Sequence, residues 1–337
     1  MSGKVKAAVA GANGYAGITL VNLLSRHPEV ELIQLTSRSL AGKPYASVFP
    51  LLELEGDFSS EPDPVGVDVV FSCLPHNVGA AKAGGWLDAG TTVVDMSADF
   101  RLKDPIQYPR WYRQEHPAPA LLPRAVFGLP ELHERELEKA ELIAVPGCFS
   151  TAAILALAPA VAGGLVGSDI IVDAKSGVSG AGRSPSIGVH FSEVNESVGA
   201  YAVEGHRHLP EVTQELTALG EGGAKVTFVP HLVPMTRGIL ASCYFDLKGS
   251  LAELQDAYGE FYAGQPFTRV VAQSPTTKLV SHSNYCLINV SAQYEKAVVT
   301  AALDNLVKGA SGQGVECFNI AFGFDRKTAL EAPIQWP

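Results

Sequence analysis

The turn Gly11-Ala12-Asn13-Gly14-Tyr15-Ala16-Gly17 constrains this chain most. It follows a short apolar run, residues 5–10, and opens a run with helical spacing, residues 15–26. Glycines there permit a tight turn and close approach of backbone to a ligand, and the N-terminus of the following helix binds pyrophosphate. The spacing is G-x-x-G-x-x-G, with Asn13 where the usual fingerprint has its second glycine. A bare glycine pattern says little. Between a strand and a helix it predicts a dinucleotide site. Further strands are read at 31–36, 67–74, 91–96 and 141–145, with a helix at 77–89. Such βαβ alternation predicts a mostly parallel sheet flanked by helices, a Rossmann-type α/β domain.

The second strand ends Leu35-Thr36-Ser37-Arg38-Ser39. Sites that prefer NAD place an acidic residue there for the ribose 2′-hydroxyl. Hydroxyls and a guanidinium suit a 2′-phosphate instead, so NADPH is the expected cofactor. The competing reading of Arg38 is an exposed arginine on a turn.

The pattern changes after residue 148. A helix at 151–162 precedes strands at 168–175, 224–230 and 237–248, a helix at 250–263, and β structure at 283–292 and 296–303. The tail 304–322 has helical spacing and is expected to return to the first domain. The predicted division is 1–147 plus about 310–337 for the cofactor domain. An α+β domain with a mixed sheet, 148–309, is left for catalysis and substrate binding. The least regular stretches are 40–64, 103–124 and 176–204. The last contains Ser176-Gly177-Val178-Ser179-Gly180-Ala181-Gly182-Arg183, a composition that suits a substrate loop.

Cys148 stands in Val145-Pro146-Gly147-Cys148-Phe149-Ser150-Thr151-Ala152, where a strand-like run gives way to a helix-like one. A cysteine on the first turn of a helix feels unpaired N–H groups and the positive end of the helix dipole, and both favour the nucleophilic thiolate. The competing reading is a buried small hydrophobe. It fits Cys73, Cys243, Cys286 and Cys317, which lie in apolar strand or helix patterns. Downstream, Gly205-His206-Arg207-His208-Leu209-Pro210-Glu211 supplies two imidazoles and a carboxylate. Read as a strand, it would turn His206 and His208 to opposite faces, with one toward Cys148. No metal is expected, because the chain lacks a compact ligand cluster.

Net charge is 25 − 35 = −10. That disfavours nucleic acid as a partner, though a few arginines in a cleft still admit an anionic substrate. No apolar run reaches membrane-spanning length. The first residues run straight into a strand, and the five cysteines are scattered. Neither a secretory leader nor a disulfide framework is expected, and the cytoplasm is the predicted compartment.

Together these segments make the chain resemble the N-acetyl-γ-glutamyl-phosphate reductases of arginine biosynthesis over essentially its whole length. The resemblance rests on 11–17, 97–101 (Ser-Ala-Asp-Phe-Arg), 146–152, 176–183, 206–211, 230–240 (Pro-His-Leu-Val-Pro-Met-Thr-Arg-Gly-Ile-Leu) and 305–314. Phe149-Ser150 departs from the tyrosine and proline common in the family. Likeness to aspartate-semialdehyde dehydrogenases is weaker and mainly architectural. The resemblance implies NADPH-dependent reduction of an acyl phosphate to a semialdehyde through a Cys148 thioester, with His206 as acid/base. It implies cofactor contacts from Gly11, Asn13, Gly14, Tyr15, Ala16, Gly17, Ser37, Arg38, Ser179 and Gly180. Substrate contacts are expected from Arg101, Arg183, Arg207, His208, Glu211 and Arg237. The resemblance also implies a homo-oligomer, tetramer or dimer, with the domain 148–309 serving oligomerisation. The rival readings are an aminoadipyl- or aspartyl-phosphate reductase, and a non-catalytic NADP-binding regulatory protein.

Overall fold

A computed structural model describes residues 3–220 and 224–331 of the chain. The final six positions of the expected cofactor domain, 332–337, lie outside the described residues. The chain divides into two compact units, one of residues 3–146 with Ala310–Glu331 and the other Gly147–Gly309.

The first unit is built on six parallel strands: β1 Val5–Ala10, β2 Val30–Thr36, β3 Val69–Ser72, β4 Thr92–Asp95, β5 Ala125–Phe127 and β6 Leu142–Ala144. Their spatial order is β2-β1-β3-β4-β6-β5. The order reverses direction beside β1, and ligands of open parallel sheets bind at the carboxyl ends of strands at such a point. β3 and β4 are almost wholly buried, as strands covered on both faces must be. Helix α1, Tyr15–Leu24, follows β1 directly, and α2, Ala80–Asp88, follows β3. Two short helices, α3 Gln107–Tyr112 and α4 Pro130–Leu137, precede and follow β5. None of these last three was legible as a regular element. The helix Gly312–Ala321 belongs to this unit and packs on α1 and α4. Gly314 lies so close to Met96 Sδ that a Cβ would sit 2.9 Å from it.

The second unit carries a mixed seven-stranded sheet: β7 Val166–Ser176, β8 Gly199–Ala200, β9 Lys225–Leu232, β10 Ile239–Leu247, β11 Thr268–Val270, β12 Cys286–Gln293 and β13 Lys296–Leu303. The order is β11-β12-β13-β10-β7-β9-β8. One face is covered by α5, Cys148–Ala162, whose residues are buried almost throughout. An alanine- and leucine-rich sequence with no polar stripe makes α5 a central helix rather than a surface one. Helix α8, Leu251–Phe261, sits beside it and begins with a capping box from Ser250 and Glu253. On the other face, Ile171, Tyr244 and Val298 are cross-strand neighbours in one row, and Ile171 is 47 % exposed.

Candidate active site

In the second unit the strand-like reading of 206–208 fails. Residues 206–208 form a turn, and α7, Leu209–Leu219, begins directly after it with Pro210 in its first turn. Proline is suited to that position because its missing N–H has no acceptor there. Side-chain alternation therefore does not apply. The two imidazole rings lie edge-on with centroids 4.7 Å apart, and both line the same cavity as Cys148.

Cys148 is the first residue of α5, and Gly147 caps it in an extended conformation without a side-chain cap. The first helical bond is Thr151 N–H to Gly147 O. The N–H groups of residues 148–150 therefore have no acceptor within the helix, and a developing oxyanion beside Cys148 is their natural acceptor. The position of the cysteine is set by close main-chain packing. The Gly147 N–H donates to Glu211 Oε2 at 2.9 Å, and Glu211 is wholly buried. A Cβ on Gly147 would lie 2.4 Å from His208 Nε2, and one on Gly309 would lie 2.7 Å from Cys148 Cβ. Gly309 lies in a π-helical turn, Val307–Ser311, a distortion found often at functional sites.

His206 is held by an N–H donated from His208 to its Nδ1 at 3.1 Å. With Nδ1 accepting, the neutral ring carries its proton on Nε2, where it can be donated. The rings of Phe149, Tyr201 and Phe228 surround it with centroids 5.6, 5.7 and 5.6 Å away, as aromatic contacts usually do. Burial pushes its pKa down to about 4, and the nearby Arg207 cation adds to the effect.

That shift carries a stability prediction. His206 binds its proton less readily folded than unfolded. No penalty exists above its ordinary value near 6.5; it grows as pH falls and is complete below about 4. Asp95, a buried carboxyl in the first unit, is pushed up to about 7 by burial and then by Asp99, and titrates in the opposite sense. The parent's curve therefore mixes the two, and the difference between parent and His206→Asn isolates the histidine. Urea unfolding should show the variant losing less stability than the parent between pH 6.5 and 4.

The cavity measures about 530 Å³. Its wall is largely apolar, with Phe149, Val189, Val194 and Leu232, and its polar groups include Ser176, Glu193 and Tyr201. Much of that wall comes from residues 186–201, inside the stretch read as irregular. Gly180 also lines it, while Ser179 is buried and accepts a hydrogen bond from Asn305 at 2.9 Å. Both residues, read as cofactor contacts, thus lie in the second unit. Arg237 pairs with the buried Asp304 at 3.3 Å, and Arg183 is exposed outside the cavity lining. Tyr201 was not singled out from sequence. Nothing in its local spacing marks it.

The first unit holds the other expected contacts. Gly11 has φ +79°, and a Cβ there would lie 2.7 Å from Cys73 O. A Cβ on Gly17 would lie 2.3 Å from Gly11 O. Both positions require glycine, and Gly14 caps α1 with no side chain over the helix end. Asn13 Nδ2 donates to Ser39 Oγ at 3.2 Å, and Ser39 Oγ lies 3.3 Å from Ser37 Oγ. Tyr15 is partly exposed and Ala16 half-buried on the first turn of α1. Arg38 is exposed and meets Glu61 at 3.3 Å; Glu61 also takes Lys82 at 2.7 Å. A clear helix end, a hydroxyl cluster and an exposed cation after β2 fit a dinucleotide bearing a 2′-phosphate. Arg101 is buried and its guanidinium bonds main-chain carbonyls, Val145 O at 2.6 Å and Met96 O at 3.0 Å.

Over residues 6–140 the chain matches the model of the semialdehyde dehydrogenase NAD-binding domain, and over 148–305 that of the semialdehyde dehydrogenase dimerisation domain. It is 47 % identical to the N-acetyl-gamma-glutamyl-phosphate reductase of Symbiobacterium thermophilum, over 97 % of each chain. The chain belongs to the N-acetyl-gamma-glutamyl-phosphate reductase family. The family member from Pseudomonas savastanoi pv. phaseolicola is also 47 % identical, over 97 % of this chain and 98 % of its own. In fold, the chain resembles aspartate semialdehyde dehydrogenase II of Vibrio cholerae, with TM-score 0.73 and 16 % identity over 95 % of this chain and 99 % of that one. Among the described residues, no group of three or more metal-binding side chains occurs, and no helix is long and apolar enough to cross a membrane.

Proposed function

We propose that the protein reduces N-acetyl-γ-glutamyl phosphate to N-acetylglutamate 5-semialdehyde and phosphate, with NADPH as reductant. The observation that carries this reading is Cys148 on the first turn of α5, opening into a cavity shared with His206 and Arg207. The Cys148 thiolate attacks the acyl carbon, and the N–H groups at the start of α5 receive the charge that develops on oxygen. His206, fixed through Nδ1, presents its Nε2 proton to the same oxygen. Glu211 and His208 hold the Gly147 peptide and so the approach of the sulfur. Gly11, Asn13, Gly14, Ala16, Gly17, Ser37 and Arg38 would hold the dinucleotide. When bound, the reduced nicotinamide supplies the hydride that takes the thioester to the aldehyde level.

The test is phosphate-dependent reduction of NADP⁺ by N-acetylglutamate semialdehyde, run beside aspartate and aminoadipate semialdehydes. The acetylated substrate should give the highest kcat/KM. A higher value with either rival would replace the substrate assigned here.

Arg38→Ala should weaken NADPH binding about tenfold or more, because a charge-assisted contact to phosphate is lost. NADH binding should hardly change. Fluorescence titration of both cofactors checks it. Equal losses would make Arg38 a pyrophosphate contact or a structural residue.

We also infer a homo-oligomer working in the cytoplasm. The partly exposed row of Ile171, Tyr244 and Val298 supports self-association through the second unit. Sedimentation equilibrium distinguishes monomer, dimer and tetramer.

A further inference from the structure

An acyl phosphate brings two anionic groups to the site, and they differ in distance from the reacting carbon. The phosphoryl group is bonded through one oxygen to the carbon that sulfur attacks, whereas the α-carboxylate is several bonds away. A group that binds the phosphoryl oxygens must therefore lie close to Cys148. Of the four candidate arginines, Arg207 alone lines the cavity with Cys148. Arg237 is paired with buried Asp304, and Arg101 is bonded to main-chain carbonyls in the other unit. Tyr201 lines the same cavity, edge-on to His206 with ring centroids 5.7 Å apart. Its own N–H is bonded to Pro230 O at 3.0 Å, which ties it to β9. Charge on both Cys148 and Arg207 is felt at its hydroxyl, and burial raises that hydroxyl's pKa well above the ordinary value. The phenol is thus a proton-bearing donor at any working pH.

We propose that Tyr201 and Arg207 together form the phosphoryl subsite, in which the Tyr201 hydroxyl and the Arg207 guanidinium both donate to the phosphate oxygens. The proposal rests on the acyl-phosphate reading above. As the C–S bond forms, the C–O bond to the phosphoryl oxygen breaks and its electron pair leaves on phosphate. The proton that the thiol gave up to solvent returns to that phosphate, which departs as hydrogen phosphate. Tyr201 donates a hydrogen bond throughout and transfers no proton. The arrangement selects for a tetrahedral dianion beside the sulfur.

The test has two arms on Tyr201→Phe, which removes one oxygen and keeps the ring against His206. In the reverse reaction, with N-acetylglutamate semialdehyde, NADP⁺ and varied inorganic phosphate, KM for phosphate should rise about tenfold. KM for the semialdehyde should stay within about twofold, since its carboxylate is bound elsewhere. A rise in semialdehyde KM with phosphate KM unchanged would overturn the assignment and move Tyr201 to the carboxylate. The second arm needs no turnover. Inorganic phosphate should slow alkylation of Cys148 by iodoacetamide in the parent, and about tenfold more should be needed in the variant. Equal protection in both, or none in the parent, also overturns the subsite. A parent that is protected by phosphate yet inactive on N-acetylglutamate semialdehyde would refute the proposed substrate and leave the subsite standing.

Discussion

Cys148→Ser is expected to fold, bind NADP⁺ like the parent, and lose activity by roughly 10³-fold or more. A hydroxyl ionises far less readily than a thiol, and the N-terminus of α5 supplies partial charge but no strong base beside it. Steady-state turnover and fluorescence titration of cofactor measure the two halves of the expectation. Iodoacetamide should label Cys148 ahead of Cys243, Cys286 and Cys317, which are buried, and mass spectrometry of digested protein reads the order. Turnover near the parent level in Cys148→Ser would end the thioester mechanism.

His206→Asn should lower turnover about 10²–10⁴-fold while NADPH binding is kept. The ring it removes is the one oriented by a main-chain donor and enclosed by Phe149, Tyr201 and Phe228. His208→Asn should do less to the chemical step, because its ring is wedged against the Gly147 peptide and acts through the position of α5. Single-turnover rates separate the two. If His208→Asn suffers the larger loss, the proton donor is His208 and His206 is its support.

The cofactor half of the protein was legible because its determinants are local. Strand, turn and helix follow one another within residues 5–24, and Gly11 and Gly17 sit where a side chain has no room. Cys148 was legible for the same reason, since Gly147 and a helical run announce a helix start. The His206–His208 turn was not, because its own apolar pattern is too short to separate strand from helix; only Pro210 pointed to a helix beginning there. Strand β5 and helices α3 and α4 have three, six and eight residues, too few for periodicity to register. The role of Tyr201 depends on β8 and β9 carrying it to Cys148, a tertiary fact with no trace in spacing. Glu61, which shares Arg38 with any phosphate, lies 23 residues away in sequence, again beyond a local reading.

The glycines around the nucleophile limit what substitution can do there. Cys148 is hemmed in by two main-chain surfaces, Gly147 against His208 and Gly309 against its own Cβ. Its place depends on these close approaches as well as on the buried side chains that follow it. Phe149, packed against His206, His208 and Phe228, and the wholly buried Ser150 stand where tyrosine and proline are commoner. Room for a side chain is closed off at 147 and 309, where a Cβ would collide, and limited at 149 and 150, which are buried, so a library randomised over all four should return glycine at the first two and only residues that fit a buried site at the others.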